Sequence, residues 1–186
     1  MKKEVLSAKR IALYGLLTSV MLALGFVEWQ FTLVPSVPGI RLGLSNTVLL
    51  YALCLMGVKS AWLLLSLKVL LGGFLYAGVS GMMYSLSGGV LGMLAMWFTL
   101  WLGGFGLIGI SVSGASFHMM GQLLVYRISL GSWAALIQAP LLLAASVATG
   151  ILTGIAAQSV CHALARGDVQ MKDRLERIGL TGRKSS

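Results

Sequence analysis

The sequence predicts an all-α protein that crosses a membrane several times. Of its 186 residues, 58% are hydrophobic and only 10% are charged, and the mean hydropathy is +0.91. A helix that crosses the hydrocarbon core needs about 20 apolar residues, so the chain has room for six spans with short connections. The 24 glycines suit helices that approach one another closely in a membrane. We therefore expect a polytopic bundle of six transmembrane helices over residues 1–164, followed by a basic tail over residues 165–186.

The apolar runs give the predicted spans in chain order. Pro35 and Pro38 interrupt any helix after the first run, so we expect residues 29–41 to form an ordered or re-entrant loop beside the membrane. Glycines follow the third and fourth runs, and Pro140 suits the first turn of the last helix. The six predicted spans cover residues 11–27, 42–57, 60–77, 82–102, 107–127 and 140–163.

Lysine and arginine are distributed unequally between the two sides of this predicted bundle. With six spans, both chain termini and the turns near Lys59 and Gly104 share one side, which holds eleven basic residues. The opposite side holds only Arg41 and Arg127. Because basic residues accumulate in cytoplasmic segments, we expect a multi-pass protein of the cell membrane with both termini in the cytoplasm.

The fifth predicted span combines apolar residues with a polar stripe. Residues at helical spacing along one of its faces are small or polar, whereas the other faces suit lipid or neighbouring helices. Two interpretations stay open. The stripe either bonds to neighbouring helices across close glycine contacts, or it forms one wall of a ligand cavity. It consists of Ser111, Gly114, His118, Gly121, Gln122 and Tyr126.

Lys68 falls in the middle of the third predicted span. A charged side chain at that depth costs a few kcal/mol or more. Glu28 is the only acidic residue between Glu4 and Asp168, so we expect no carboxylate at the depth of Lys68. The alternative is a position nearer the interface, from which the ammonium reaches towards water.

These residues lead to the hypothesis of a cavity that binds an anion. Cations in surplus within a low-dielectric site attract a carboxylate or a phosphate. Lys68, His118 and Gln122 are expected to line the cavity, while Arg41 and Arg127 add charge from the outer surface. Alternatively, the two arginines contact lipid headgroups. The full set of predicted ligand-binding residues is Arg41, Asn46, Lys68, Ser85, His118, Gln122 and Arg127.

The sequence lacks the motifs of several enzyme classes. It contains no G-x-x-x-x-G-K-[ST] loop for ATP, no paired carboxylates for Mg²⁺ and no intramembrane Asp for a Ser-His-Asp triad. Cys54 and Cys161 have no metal-ligand spacing and are interpreted as packing residues. Basic residues at the chain ends and between spans do not indicate nucleic acid. We expect no catalytic residue, metal, cofactor or nucleic-acid partner.

The start of the first predicted span carries small residues on one edge. Ala8 and Ala12 are four residues apart, and Gly15 continues the edge. Such an edge lets another helix approach closely. That helix belongs either to the same bundle or to a partner protein.

Three blocks of the sequence stand out: PGIRLGLSNTVLLYAL, KVLLGGFLYAGVSGMMYSLSGG and GISVSGASFHMMGQLLVY. Together they resemble the Gx transporter family, which is often labelled heptaprenyl diphosphate synthase component I, and the resemblance covers about residues 8–164. That family is similar in turn to the substrate-binding S components of energy-coupling-factor (ECF) vitamin transporters.

The resemblance implies a six-helix bundle with a substrate site near the outer face, covered by the loop between spans one and two. It also implies that the Ala8/Ala12 edge docks to a transmembrane coupling subunit driven by two ATPases. We therefore expect the substrate-binding subunit of an ECF-like importer, which captures a small anionic molecule, vitamin-like or related to isoprenoids and quinones. The alternative is a membrane accessory subunit of a prenyl diphosphate synthase or of an electron-transfer assembly.

Overall fold

The computed structural model describes residues 8–30, 41, 43–131, 137–167, 173, 175 and 176. In this part of the chain the regular structure is entirely helical, which confirms the all-α prediction there. The predicted loop residues 31–40 and most of the predicted tail lie outside the described residues. The helices are α1 (Ala8–Gln30), α2 (Asn46–Leu55), α3 (Val58–Gly72), a π-helical segment (Gly73–Ala77), α4 (Gly78–Leu102), α5 (Leu107–Leu130) and α6 (Ala139–Gly167).

Four stretches of the described chain are long and apolar enough to cross a membrane: Ala8–Gln30, Val58–Leu102, Leu107–Ser129 and Ala139–Ala163. The predicted count of six spans is therefore not confirmed. The second predicted span is too long, because α2 has ten residues and rises only about 15 Å, half the thickness of the hydrocarbon core. Gly43 and Gly57, with φ angles of 84° and 92°, stand on either side of α2 in a backbone conformation that favours glycine.

The stretch Val58–Leu102 is a helical hairpin that folds at Gly78. This glycine has φ 65° and ψ −175°, a conformation that a Cβ atom would strain. Residues on its two sides meet: Leu65 of α3 packs against Gly89 of α4, and Met82 of α4 packs against Gly73. Helices α3 and α4 are therefore antiparallel, and the connection predicted at residues 78–81 begins at Gly78.

Small residues bring α4, α5 and α6 into close contact. A methyl group on Gly92 of α4 would lie 2.8 Å from the carbonyl oxygen of Gly114 in α5, and one on Gly150 of α6 would lie 2.8 Å from the α5 backbone. A hydroxyl group crosses the first of these interfaces, because Ser87 donates a 2.8 Å hydrogen bond to the carbonyl oxygen of Gly121. These three helices form the tightly packed part of the bundle.

Helix α1 runs parallel to α3 and is the least buried of the four candidate spans in the described chain. Tyr14 and Ser60 are joined near the start of both helices by a 2.7 Å hydrogen bond between their hydroxyl groups. Further along, Tyr76 packs against Gly25. The small residues of the predicted docking edge, Ala8, Ala12 and Gly15, are all exposed.

The connections divide the bundle into two ends. One end holds the start of α1, the turn at Gly57, the α4–α5 connection and the end of α6. The other end holds the end of α1, the start of α2, the turn at Gly78 and the end of α5. Leu175, although it lies in the predicted tail, is buried in the same hydrophobic core as Met21 and Met93, so this part of the tail packs on the bundle.

Candidate functional site

A group of buried polar side chains lies where α1 ends and α2 begins. Five helices and the α1–α2 connection contribute to it, and each member exposes 7% or less of its surface. Burial of charged groups is unfavourable unless they are paired or face an occupied cavity. The group, called the polar cluster below, consists of Glu28, Arg41, Asn46, Lys68, Ser85, His118 and Gln122.

Helix α5 anchors the connection that precedes α2. The side-chain oxygen Oε1 of Gln122 accepts a 2.9 Å hydrogen bond from the backbone N–H of Arg41. The amide nitrogen Nε2 of Gln122 lies 2.8 Å from Nε2 of His118, one helical turn earlier. Three predicted site residues are thus joined directly, and Gln122 links the chain before α2 to the imidazole ring.

The guanidinium group of Arg41 lies over two aromatic rings. Its Cζ atom is 5.3 Å from the centroid of the Trp29 ring and 5.8 Å from that of Tyr76, distances at which a cation is attracted to an aromatic face. Within the described residues, Nε and Nη2 are buried and have no hydrogen-bond partner. Arg41 is therefore buried, with two donors that have no acceptor among the described residues.

Burial lowers the pKa of the Arg41 side chain from its usual value, while electrostatic interaction with Tyr76 and Glu28 raises it. Arginine stays protonated in proteins because its ordinary pKa is far above neutral. The group is therefore a permanent positive charge in the polar cluster.

Glu28 and Lys68 interact electrostatically, and Arg41 acts on both of them. Glu28 Oε1 also accepts a hydrogen bond from the backbone N–H of Leu44. Glu28 is thus near enough to act on Lys68, whereas the sequence analysis expected no carboxylate at that depth. Helix α1 continues past its predicted end to Gln30, and Glu28 lies in its last turn. Lys68 exposes only 4% of its surface.

Gly43 separates two predicted ligand-binding residues. A Cβ atom on Gly43 would lie 2.7 Å from Nδ2 of Asn46 and 3.3 Å from Cδ2 of His118. Neither side-chain atom of the Asn46 amide has a hydrogen-bond partner among the described residues. On the opposite side, the His118 ring packs on Gly88 of α4, where a Cβ atom would lie 2.9 Å from Cε1. Glycines on both sides thus fix the position of the imidazole.

The π-helical segment places Tyr76 beside the polar cluster. Its ring packs on Gly25 of α1 and Gly72 of α3 and is inclined to Trp29 at a centroid distance of 6.5 Å. The sequence analysis did not select Tyr76, Trp29, Glu28 or Gly43 as site residues. Spacing offered one signal: Lys68, Gly72 and Tyr76 are four residues apart and share one helix face.

Ser85, a member of the cluster, and Arg127, which is not a member, are the remaining predicted ligand-binding residues. Ser85 is buried in α4 one turn before Gly88. Arg127 is half-buried in the last turn of α5 and is not among the charged groups that act on Glu28, Lys68 or His118.

Some residues of the polar stripe of α5 pack against neighbouring helices, and others belong to the polar cluster. Ser111 shares a 2.9 Å hydrogen bond with Thr153 of α6, and Gly114 and Gly121 allow close contact with α4. These residues fit the packing interpretation. His118 and Gln122 instead belong to the polar cluster.

The polar cluster contains more positive than negative charge. Among the described residues, Glu28 alone balances Arg41 and Lys68, and the sequence has no second carboxylate between Glu4 and Asp168. Added to unpaired donors on Arg41 and Asn46, this surplus suits an anionic group that accepts hydrogen bonds. The described residues include no group of three or more His, Cys, Asp or Glu side chains placed to hold a metal ion.

A separate apolar groove lies between α1, α2 and α6. Its volume is about 680 Å³, within the usual size of small-molecule sites. Leucine, valine and alanine side chains form most of its wall. The lining residues are Leu13, Leu16, Leu17, Val20, Leu24, Leu44, Thr47, Val48, Tyr51, Leu152, Thr153, Ala156, Ala157 and Val160.

Residues 17–160 match the family profile described as heptaprenyl diphosphate synthase component I. The chain belongs to this family. It is the Gx family to which the sequence blocks point, and the matched region includes every residue of the polar cluster. The family description names one component of a synthase and does not assign catalysis to that component. Comparison with curated proteins and with solved structures gives no match.

Proposed function

We propose that this chain is the substrate-binding membrane subunit of an importer of the ECF kind and that it captures a small anionic molecule. The observation that carries the proposal is the charge of the polar cluster, in which Glu28 is the one acidic residue beside Arg41 and Lys68 in the described part of the chain. A buried cation without a counter-charge is unfavourable. An anionic ligand would supply the missing charge and accept hydrogen bonds from the unpaired donors of Arg41 and Asn46.

The position of the cluster supports capture from outside the cell. The cluster lies at the bundle end opposite the start of α1, where Lys9 and Arg10 are, and opposite the turn that carries Lys59. Since basic residues mark the cytoplasmic side, the cluster would lie near the outer face. A six-span topology with cytoplasmic termini is part of this proposal. The hairpin at Gly78 gives the long apolar stretch two crossings, which makes five with the other three stretches, and the short α2 is proposed to complete the sixth by leading the chain back towards the turn at Gly57.

The exposed small-residue edge of α1 supports docking to a coupling subunit and its ATPases. Co-purification with those subunits tests this part. Ala8→Leu and Ala12→Leu are expected to reduce recovery of the complex, because larger side chains keep a partner helix away. Ile11→Leu, on an exposed neighbouring position of the same helix, is the control and should behave as wild type. Full recovery with both replacements would contradict docking at this edge.

Identification of retained small molecules tests the main proposal. The full-length protein is purified in a mild non-ionic detergent and denatured, and the released molecules are identified by mass spectrometry. We expect a carboxylate or phosphate in wild-type protein and in Lys59→Met, whose exposed lysine lies at the other end of the bundle. We expect its loss in Lys68→Met. A neutral or cationic molecule, or an anion retained equally by Lys68→Met, would contradict the proposal.

The family description favours a second candidate, a membrane accessory subunit of a prenyl diphosphate synthase. A diphosphate is also an anion, so the same cluster would serve this role. The two candidates differ in their partner: a synthase with aspartate-rich motifs should co-purify in one case, and a coupling subunit with ATPases in the other.

A further inference from the structure

The apolar groove between α1, α2 and α6 extends along much of the bundle. On α1 it reaches from Leu13 to Leu24, which corresponds to about 16 Å of helix. Among the described residues that line it, the side chains offer only three polar atoms, the hydroxyl groups of Thr47, Tyr51 and Thr153. A site of this composition binds hydrocarbon and offers little to a charged group.

One end of the groove borders the polar cluster. Leu44 lines the groove, and its backbone N–H is bonded to the carboxylate of Glu28. Leu24 lines the groove one helical turn before Glu28. Thr47 follows Asn46 in the first turn of α2. The groove therefore adjoins the polar cluster at Glu28 and Asn46, near the end of α1.

We propose that the ligand is an amphiphile whose anionic head binds Arg41 and Lys68 and whose apolar chain lies in the groove. This inference rests on the proposed function, because it assumes that the polar cluster binds an anion. The anionic head group is assigned to the polar cluster because the charges are complementary. The apolar chain of the ligand is assigned to the groove because Leu44 lines the groove and adjoins the cluster. A purely hydrophilic anion would not occupy the groove, which bilayer lipid would then fill.

A series of alkyl phosphates tests the proposal. Butyl, octyl and dodecyl phosphate, with dodecanol as an uncharged probe of equal length, are added to the detergent-purified full chain, and occupancy is measured by native mass spectrometry. Wild-type protein is expected to bind dodecyl phosphate more tightly than butyl phosphate and more tightly than dodecanol. Partition into the micelle is common to all protein variants, so it cancels when variants are compared.

Two matched variants test where the alkyl chain of the ligand binds. Ala156→Phe fills the groove and should weaken dodecyl phosphate binding by about tenfold or more, with butyl phosphate unchanged. Ile155→Phe adds a similar ring at an exposed position of α6 outside the groove and should alter neither affinity. Lys68→Met should weaken the binding of all three alkyl phosphates by the same factor, because the substitution affects the contact with the phosphate group.

The outcomes separate this inference from the proposed function. If butyl and dodecyl phosphate bind equally, or if Ala156→Phe leaves both unchanged, the amphiphile proposal is overturned while anion binding stands. If dodecanol binds as well as dodecyl phosphate, the groove takes any lipid chain, which also overturns it. If no phosphate binding depends on Lys68, the proposed function itself fails.

Discussion

Gln122 and Arg41 are 81 residues apart in the chain, yet the side-chain oxygen of Gln122 accepts the backbone N–H of Arg41 at 2.9 Å. This contact fixes a residue of the α1–α2 connection to the second half of α5. The same glutamine lies 2.8 Å from the His118 ring, so the backbone before α2 and the imidazole are held by one side chain.

Gln122→Leu is expected to destabilise the protein by about 1–3 kcal/mol, because it leaves the buried N–H of Arg41 without an acceptor. Phosphate affinity should also fall, but less than in Lys68→Met, since no charge is removed. Thermal unfolding in detergent and a binding titration measure the two effects. Gln158→Leu, at a half-buried position of α6 away from the cluster, is the control. Equal melting temperatures for both variants would show that the contact contributes nothing.

A double-mutant cycle is predicted to reveal coupling between Glu28 and Lys68. Lys68→Met leaves the buried Glu28 carboxylate with Arg41 as its remaining cation and is expected to lower the free energy of unfolding. Glu28→Gln with Lys68→Met should recover part of this loss, giving a coupling of about 1 kcal/mol or more by denaturant unfolding. Glu28→Gln alone should strengthen anion binding, since it removes the only negative charge of the cluster. Additive losses and unchanged affinity would contradict the pairing.

Gly88→Ala is predicted to displace His118. A Cβ atom there would lie 2.9 Å from both Cε1 and the carbonyl oxygen of His118, and forcing extra volume into a packed interface costs about 1–3 kcal/mol. Anion binding should fall as well, because Gln122 and Arg41 are connected to the ring. Gly106→Ala, where the added atom meets open space, should leave stability and binding unchanged. Wild-type behaviour of Gly88→Ala would show that α4 and α5 separate readily.

Tyr76 is predicted to support Arg41 through its ring rather than its hydroxyl group. Tyr76→Phe should keep near-native phosphate affinity, whereas Tyr76→Leu should lose about 0.5–2 kcal/mol of binding energy with the cation–π contact. Isothermal titration with phosphate distinguishes the two variants. Tyr14→Leu, which removes a tyrosine bonded to Ser60 near the start of α1, controls for loss of an α1–α3 contact and should not alter affinity. Equal losses in Tyr76→Phe and Tyr76→Leu would assign the role to the hydroxyl group.

Helical spacing predicted the parts of the site that lie along one helix. His118 and Gln122 are four residues apart, so their shared face follows from the period of an α-helix, and the polarity of that face marked it as unusual. The turn at Gly78 could also be predicted from the sequence, because glycine between two apolar runs breaks a helix. In both cases the decisive information is local.

The sequence did not predict the features of the site that depend on the axial alignment of one helix relative to another. The electrostatic interaction of Glu28 with Lys68 requires α1 to extend beyond its apolar run and to lie parallel to α3 in a particular alignment. The short length of α2 depends on the backbone conformation of Gly43, which the residue type permits but does not impose. The position of each helix along the bundle axis is set by packing between helices, and this packing cannot be deduced from a single sequence.

The interaction between Glu28 and Lys68 has a consequence for synthesis at the membrane. Lys68 follows Glu28 by 40 residues, so the acidic end of α1 is synthesised before the basic residue. Until α3 has been made, Lys68 is absent and cannot offset the charge of Glu28.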